Sequence, residues 1–323
     1  MKYSHKIKEI LHAREINQDK LAQELGVTFA ALNRWINADV QPRASNARKI
    51  DALYQDLFGT TKNSHSPDSN LKAKSSGNDI DLYTKNIIQD CKKINIKNLL
   101  NRKDFIENII IKFTHATNRL EGSTMTESEV RDVLYENLSF SHRSLIEHIE
   151  AKNHETALLY VLDNYKNKIT EDYIKKLHLL LMNSIKSDAG SYRNHNVRIV
   201  GSFVPTTNHL SINKRMQEFI KENSKYNNSI KNNDVDKRSN VFIFLAQMHA
   251  EFEMIHPFSD DNGRVGRLLL AHTALQNGIL PIIILAEYRS KYIKALQKAQ
   301  LENIYDDLLI VIVDGVKVSL NFV

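Results

Sequence analysis

The sequence predicts a mostly α-helical chain in two units, a small N-terminal bundle and a large C-terminal helical domain. Two observations carry this. With 10 glycines and 5 prolines among 323 residues, turn formers make up about 5% of the chain against a usual figure near 12%. Such a chain has room for long helices and little for many-stranded sandwiches. From Gly59 to Asp79 the composition shifts to Ser, Asn, Lys, Gly and Thr, with Pro67 and almost no apolar residue. That stretch cannot bury a core and is predicted as a linker over 59–79. It separates a unit at 1–58 from one at 80–323.

In the large unit the 3.6-residue apolar period predicts helices over Ile80–Asp90, Ile96–Leu100 continuing towards Arg119, Thr126–Tyr135, Leu145–Lys166 and Thr170–Ser184. Further helices are predicted over Leu210–Asn223, Val241–Ile255, Arg264–Asn277, Ser290–Gln300 and from Ile304 onward. Thr126 and Thr170 stand at N-cap positions, and Glu129 completes a capping box with Thr126. The polar patch Asn223–Asn240 reads as a surface loop. Between Ser191 and Pro205 the β-branched run Val197-Arg198-Ile199-Val200 predicts a short hairpin.

Composition narrows the function classes. Apolar residues at 42% and charged residues at 25% are ordinary for a globular protein and exclude collagen, coiled coil and wholesale disorder. The net charge of +6 and a pI near 9.1 suit a polyanionic partner without proving one. One cysteine, Cys91, excludes an internal disulfide and a cysteine-built zinc site. The residues from Met1 to Ile10 lack the apolar core of a signal peptide. The longest apolar runs, Ile279–Ala286 and Leu308–Val313, fall far short of the roughly 18 residues of a membrane span. A soluble, cytoplasmic protein with no membrane partner is expected.

In the small unit, Gln18 to Ile36 place Ala22 where two steeply crossed helices touch and Gly26 where a tight turn needs φ > 0. Leu21, Leu25, Val27, Leu32 and Trp35 form one apolar face. The spacing resembles the helix-turn-helix of phage-repressor (XRE) type over about 58 residues, with flanking helices Ile7–Glu15 and Ser45–Phe58. The resemblance implies DNA binding by residues 1–58, with the second motif helix in the major groove. Thr28, Phe29, Ala30, Asn33 and Arg34 would then face bases, and Gln18, Arg43, Arg48 and Lys49 would reach phosphates. Such heads often pair to read two half-sites, so a homodimer is expected. Nine basic against seven acidic residues also fit a small docking or dimerisation bundle.

The chemistry concentrates in His256-Pro257-Phe258-Ser259-Asp260-Asp261-Asn262-Gly263-Arg264-Val265-Gly266-Arg267. Pro257 stops the preceding helix, the Asp-Asp-Asn-Gly run makes a turn, and an apolar helix begins near Arg264. A turn that feeds unpaired N–H groups into a helix start is an anion site. Arg264 and Arg267, three residues apart, share a helix face and can clamp phosphates. Asp260 offers a hard oxygen to Mg²⁺, and His256 has a pKa range suited to a general base. Taken together these read as a nucleotide-transfer site.

The run closely resembles the Fic signature, His-Pro-Phe-x-(Asp/Glu)-Gly-Asn-Gly-Arg-x-x-Arg. Gly190-Ser-Tyr-Arg193 with Val197–Ser202 and Pro205 is similar to the family's flap hairpin. Arg289, Tyr292, Ala295, Leu296 and Ala299 are similar to the helix closing its adenine pocket. The resemblance runs from about Tyr173 to Val318. It implies an all-helical Fic domain with a short β-hairpin flap, and transfer of AMP from ATP to a Ser, Thr or Tyr hydroxyl of a protein. Carried over, His256 would deprotonate the hydroxyl and Asp260 would hold Mg²⁺. Asn262, Gly263 and Arg264 would line the anion hole, Arg267 would reach the γ-phosphate, and Tyr292 and Leu296 would border the nucleotide. Thr117-Asn-Arg-Leu-Glu-Gly122 matches the family's inhibitory-helix pattern, placing a brake near 110–122 in which Glu121 pairs with Arg267. A braked member of the family can also remove AMP. Asp261 departs from the signature, which has glycine there: it points to solvent, joins Asp260 at the metal, or tunes nucleotide choice. Asp261 also leaves open a different class of protein, a transcriptional regulator whose Fic pocket only senses nucleotide.

Overall fold

The computed structural model describes residues 3–13, 16–37, 40–42, 46–47, 49–51, 53–54, 77–199, 204–231 and 241–323. The chain divides into two compact units, 1–74 and 75–323. Most of the expected linker, Arg43, Arg48 and the tip of the expected flap lie outside the described residues.

In the small unit, α1 (Tyr3–Ala13), α2 (Gln18–Leu25) and α3 (Phe29–Asn37) close over Ile7, Ile10, Leu21, Ala22, Leu25, Leu32, Trp35, Ile36 and Ile50. Asn17 caps α2 by accepting from the Lys20 N–H at 2.9 Å. Gly26 ends α2 at φ 70°, a left-handed conformation that glycine adopts without a Cβ clash. The Val27 N–H then donates back to Ala22 O at 2.9 Å, which turns the chain sharply into α3.

The large unit holds, among the described residues, α4 (Gly77–Lys92), α5 (Ile96–Leu99), α6 (Lys103–Leu120), α7 (Glu127–Tyr135), α8 (Leu145–Asn164), α9 (Glu171–Leu181), α10 (Ile212–Lys231), α11 (Val241–Ile255), α12 (Asn262–Gln276), α13 (Arg289–Glu302) and α14 (Asp306–Leu320). α12 is the hub. It packs on α11, α9, α8 and α6, and every residue from Arg264 to Leu275 is buried. A helix buried on all sides belongs in the middle of a domain. Among the described residues no helix is long and apolar enough to cross a membrane.

The caps read from sequence are present: Thr126 and Glu129 form the reciprocal box and Thr170 accepts from the Tyr173 N–H; Ser144 with Glu147 forms a second box, one not read from the sequence. Three expectations change. The helix expected from Ile96 through Arg119 breaks, because Arg102 takes an extended conformation and α6 starts afresh at Lys103. The polar stretch after Asn223 stays helical to Lys231, held by Asn223, which is buried, and by Tyr226, whose ring stacks on Phe244 at 3.5 Å. No strand occurs among the described residues, so the expected β-hairpin is not seen in them. Its arms are tied instead through side chains, Thr206 Oγ1 donating to Val197 O at 2.6 Å and the His209 N–H to Asn196 Oδ1 at 3.0 Å.

Buried histidines fill the large unit. Burial lowers His249 to about 3 and His178, His256 and His272 to about 4, and takes His154 well below its usual value. Burial raises Glu253 to about 8 and Asp261 to about 7. The unfolded chain takes up histidine protons first as pH falls through about 6.5, whereas the two carboxyls hold protons in the folded state that the unfolded chain releases. The signs oppose, so stability is expected to peak near about pH 7 and to fall towards pH 5 by roughly 1.4 kcal/mol per pH unit for each net proton. Melting curves between pH 5 and 8.5 check this; a melting temperature that climbs steadily as the pH drops to 5 contradicts the neutral burial of these histidines.

Candidate active site

The site begins where α11 stops. The His256 N–H still donates to Phe252 O at 3.0 Å, but its backbone turns left-handed, φ 50°, and Pro257 follows. Phe258 is fully buried, its ring stacked on His178 with centroids 3.9 Å apart. Asn262 turns inward: its Oδ1 accepts from the Phe258 N–H at 2.9 Å and its Nδ2 donates to Phe258 O at 3.0 Å. Its side chain therefore shapes the loop, while the backbone behind it opens α12.

His256 has an assigned tautomer on geometric grounds. Its Nδ1 lies 3.2 Å from Glu253 O, a carbonyl that can only accept, so Nδ1 carries the proton and Nε2 keeps its lone pair. Burial, reinforced by the Arg193 charge, holds the ring neutral at physiological pH. Arg193 fixes this geometry. Its Nε donates to His256 O at 2.8 Å, Nη1 to His195 O at 2.6 Å and Nη2 to Thr207 O at 2.5 Å. One buried guanidinium thus staples the roots of the expected flap to the histidine.

At the start of α12 the two arginines face different partners. Arg267, with a side chain 3% exposed, donates from Nη2 to Glu121 Oε1 at 2.5 Å and from Nε to Thr117 Oγ1 at 2.7 Å. Glu121 ends α6 with its side chain 38% exposed. Burial opposes its charge, but Arg267, with Arg264 and Arg289, holds its carboxyl below the usual range. Its Oε1 sits 2.6 Å from where a Cβ on Gly263 would lie, so only glycine lets a carboxylate approach the helix end this closely. Helix N-termini attract anions through unpaired N–H groups and the dipole. Here that anion is part of the chain. Arg264, by contrast, has each nitrogen engaged internally: Nε with Asp261, Nη1 with Asn118 Oδ1 at 3.4 Å and Nη2 with Glu150 Oε1 at 2.9 Å.

Asp260 is exposed, its Oδ2 3.3 Å from Lys186 Nζ. Asp261 points neither to solvent nor to Asp260; its side chain is 1% exposed and bonded to Arg264. Tyr292 and Leu296 are buried on α13, with Tyr292 OH 2.8 Å from His249 Nε2. Arg289 Nε donates to Leu120 O at 2.9 Å, tying α13 to the end of α6 beside Glu121. Glu150, Asn118, Glu253 and Asp188, whose Oδ2 accepts from Ser259 Oγ, also shape the site and carried no sequence signal, being single polar residues in helical or loop stretches.

In the small unit, Thr28, Phe29, Ala30 and Arg34 are exposed on α3 and before it, opposite the core, and Phe29 is 47% exposed. Asn33 Oδ1 accepts from Asn37 Nδ2 at 2.5 Å, and Gln18 is half-buried at the start of α2. Lys49 Nζ donates to Leu25 O at 2.9 Å and so caps α2.

A central helix whose start meets the Glu121 carboxylate, fed by a His-Pro-Phe turn, and a small helical head define a two-module protein. Residues 168–274 match the Fic/DOC family and residues 7–55 the helix-turn-helix family HTH_3. The chain carries a Fic domain and a helix-turn-helix domain of XRE type. It is 29% identical over 184 residues to a protein adenylyltransferase Fic of Drosophila willistoni, a match covering 56% of this chain and 35% of that protein. A protein adenylyltransferase Fic of Nematostella vectensis is 29% identical over 201 residues, 61% of this chain and 45% of that one. The matches thus span less than half the length of these curated relatives. In fold the chain is similar to a Fic domain containing signaling protein from Bacteroides thetaiotaomicron, TM-score 0.62 at 20% identity over 74% of this chain and 97% of that one. It is also similar to Fic-1 from C. elegans, TM-score 0.59 at 18% identity over 94% and 83%.

The Arg193 staple generates a stability prediction. Arg193→Lys keeps the charge but cannot reach the same set of carbonyls, and unpaired buried carbonyls each cost about 1–3 kcal/mol. A loss of roughly 2–4 kcal/mol in urea unfolding is expected. Unchanged stability would show that the staple contributes nothing.

Proposed function

We propose that the protein is a self-inhibited adenylyltransferase that moves AMP from ATP to a Ser, Thr or Tyr hydroxyl of a protein, with a DNA-binding head. The observation that carries this reading is the Glu121 carboxylate seated over Gly263 and on Arg267, the place a phosphate oxygen would take. His256 Nε2 removes the proton from the attacking hydroxyl. The hydroxyl oxygen bonds to the α-phosphorus, the bond to the bridging oxygen of the β-phosphate breaks, and pyrophosphate leaves with the electron pair. Arg267 and the α12 backbone around Gly263 stabilise phosphate charge, which is the main protein contribution to such transfers. Asp260, exposed on the loop, fits Mg²⁺ as a single carboxylate ligand, the ion drawing its other ligands from phosphates and water. When bound, Mg²⁺ would offset phosphate charge. Tyr292 and Leu296 on α13 border the nucleotide end of the site in this reading, and the 194–208 segment rooted on Arg193 presents the target.

With Glu121 in place, a triphosphate meets a carboxylate where it needs a guanidinium, and a misplacement of about 1 Å can cost about 10²-fold in rate. Glu121→Gly is therefore expected to raise incorporation from α-labelled ATP, into the protein itself or a lysate, by about 10²-fold, more in kcat than in ATP affinity. Adding His256→Ala is expected to lower it by about 10²–10⁴-fold with ATP binding kept. A second reading, a regulator whose pocket senses nucleotide, is favoured by the engagement of Arg264 with Asp261 and Glu150. It wins if Glu121→Gly binds ATP and labels nothing.

For the head, exposed Arg34 and the neighbouring Asn33 on α3 would meet base edges in this reading, and the chain is expected to bind its own upstream DNA in a salt-sensitive way. Arg34→Ala with Asn33→Ala should abolish a gel shift seen at low salt. Absence of any shift with the parent chain favours a docking bundle.

A further inference from the structure

Asp261 breaks a local rule and is kept in place by its neighbours. It precedes α12 in a left-handed conformation, φ 62° and ψ 17°, with no capping bond from its side chain. A non-glycine residue there is strained by about 1–2 kcal/mol. Its carboxylate does not escape to water. Oδ1 accepts from Arg264 Nε, and Oδ2 is buried without a partner. Arg264 is held from the far side by Glu150 and Asn118. Glu253, a further buried carboxyl with an unpartnered oxygen, lies against Gly266 and is kept protonated near neutrality by burial.

The electrostatic consequence is local. Once Glu121 leaves, Arg267 is freed for an incoming phosphate, with Arg289 beside it at the end of α6. The charge of Arg264 is offset by two carboxylates, so the ground behind the cradle is neutral or negative where an uncompensated pair of arginines would make it cationic. In a buried setting one added negative charge is felt in proportion to the charge it faces.

We propose that Asp261 is a specificity-determining residue of the nucleotide site, its buried carboxylate locking Arg264 inward and setting the cradle against highly charged phosphate chains. This rests on the nucleotide-transfer reading of the same pocket. Asp261 penalises a ligand in step with its phosphate charge, and its removal frees both a guanidinium and the field behind the helix end. The Asp261 side chain acts through Arg264 and the cradle and does not touch the transferred group.

The test uses the full chain in the Glu121→Gly background, so that the pocket is open, and compares it with Asp261→Gly and Asp261→Asn added. Glycine relieves the strained backbone; asparagine tolerates the same conformation and keeps an oxygen for Arg264. Melting curves establish that each variant folds. Calorimetric titrations with AMP, ADP and ATP are run with EDTA present so that each ligand carries its own charge. Affinity gains graded with charge are expected in both variants, about twofold for AMP, about fivefold for ADP and about tenfold for ATP. Equal gains for the three nucleotides, or none, overturn the proposal. Failure of every variant to bind any nucleotide overturns it together with the reading on which it rests. Graded binding with no label transferred to any hydroxyl supports the role of Asp261 and overturns only the transfer reaction.

Discussion

A helix buried on every side still has to satisfy the N–H groups of its first turn, and α12 does so at one opening, where the chain supplies its own anion. The Glu121–Arg267 pair is the interaction on which the arrangement of the large unit turns. Through it the end of α6 is fastened to the start of the central helix, and Thr117, one turn earlier on α6, holds the other edge of the same guanidinium. Arg289 then fastens α13 to Leu120, so three helices meet around a single charged contact. Arg267 is buried with that carboxylate and the Thr117 hydroxyl as its partners, and any anion that displaces Glu121 has to replace its charge there.

The loop between α11 and α12 illustrates how little side-chain chemistry is free to vary around such a contact. Phe258 fills the core under the loop, Asn262 bonds both polar atoms of the Phe258 backbone, and Ser259 is tied to Asp188. Arg193 reaches across from the 190s to grip the Ile255 and His256 carbonyls where the turn begins. What is left exposed at the rim is Asp260 with Lys186 and part of the carboxylate of Glu121. A well-held floor beneath an open charged edge is the arrangement expected where a ligand must be positioned closely.

Much of this was legible in the sequence, for physical reasons that differ by element. The capping residues Thr126 and Thr170 mark helix starts because their hydroxyls accept from N–H groups that have no other partner. The His-Pro-Phe run and the glycine at 263 are legible because few residues allow a helix stop, a buried anchor and a bare helix end in so short a span. Helix persistence beyond Asn223 was not, since a polar helix face looks like a loop until Tyr226 is seen stacked on Phe244. Asp261 left three orientations open, and the deciding factor was Arg264, whose inward path depends on Glu150 and Asn118 from helices distant in sequence. Pair contacts between distant single residues leave no periodic trace, so Glu150, Glu253 and Asp188 stay invisible until the chain is folded.

The anchoring of the loop after Glu121 has a consequence for competition. Glu147 accepts from the Thr124 N–H at 2.6 Å and from Ser123 and Thr124 hydroxyls while also boxing the start of α8. The carboxylate of Glu121 is thereby delivered on a short, pinned tether, and its local concentration at the helix end does not depend on how much protein is present. Any soluble anion seeking that place faces an intramolecular rival, whose effective concentration for a short tether is on the order of millimolar. The occupancy of the site is therefore set by the ratio of a free concentration to a fixed one, and lengthening or loosening the segment between Gly122 and Thr126 shifts that ratio without touching a single residue of the cradle.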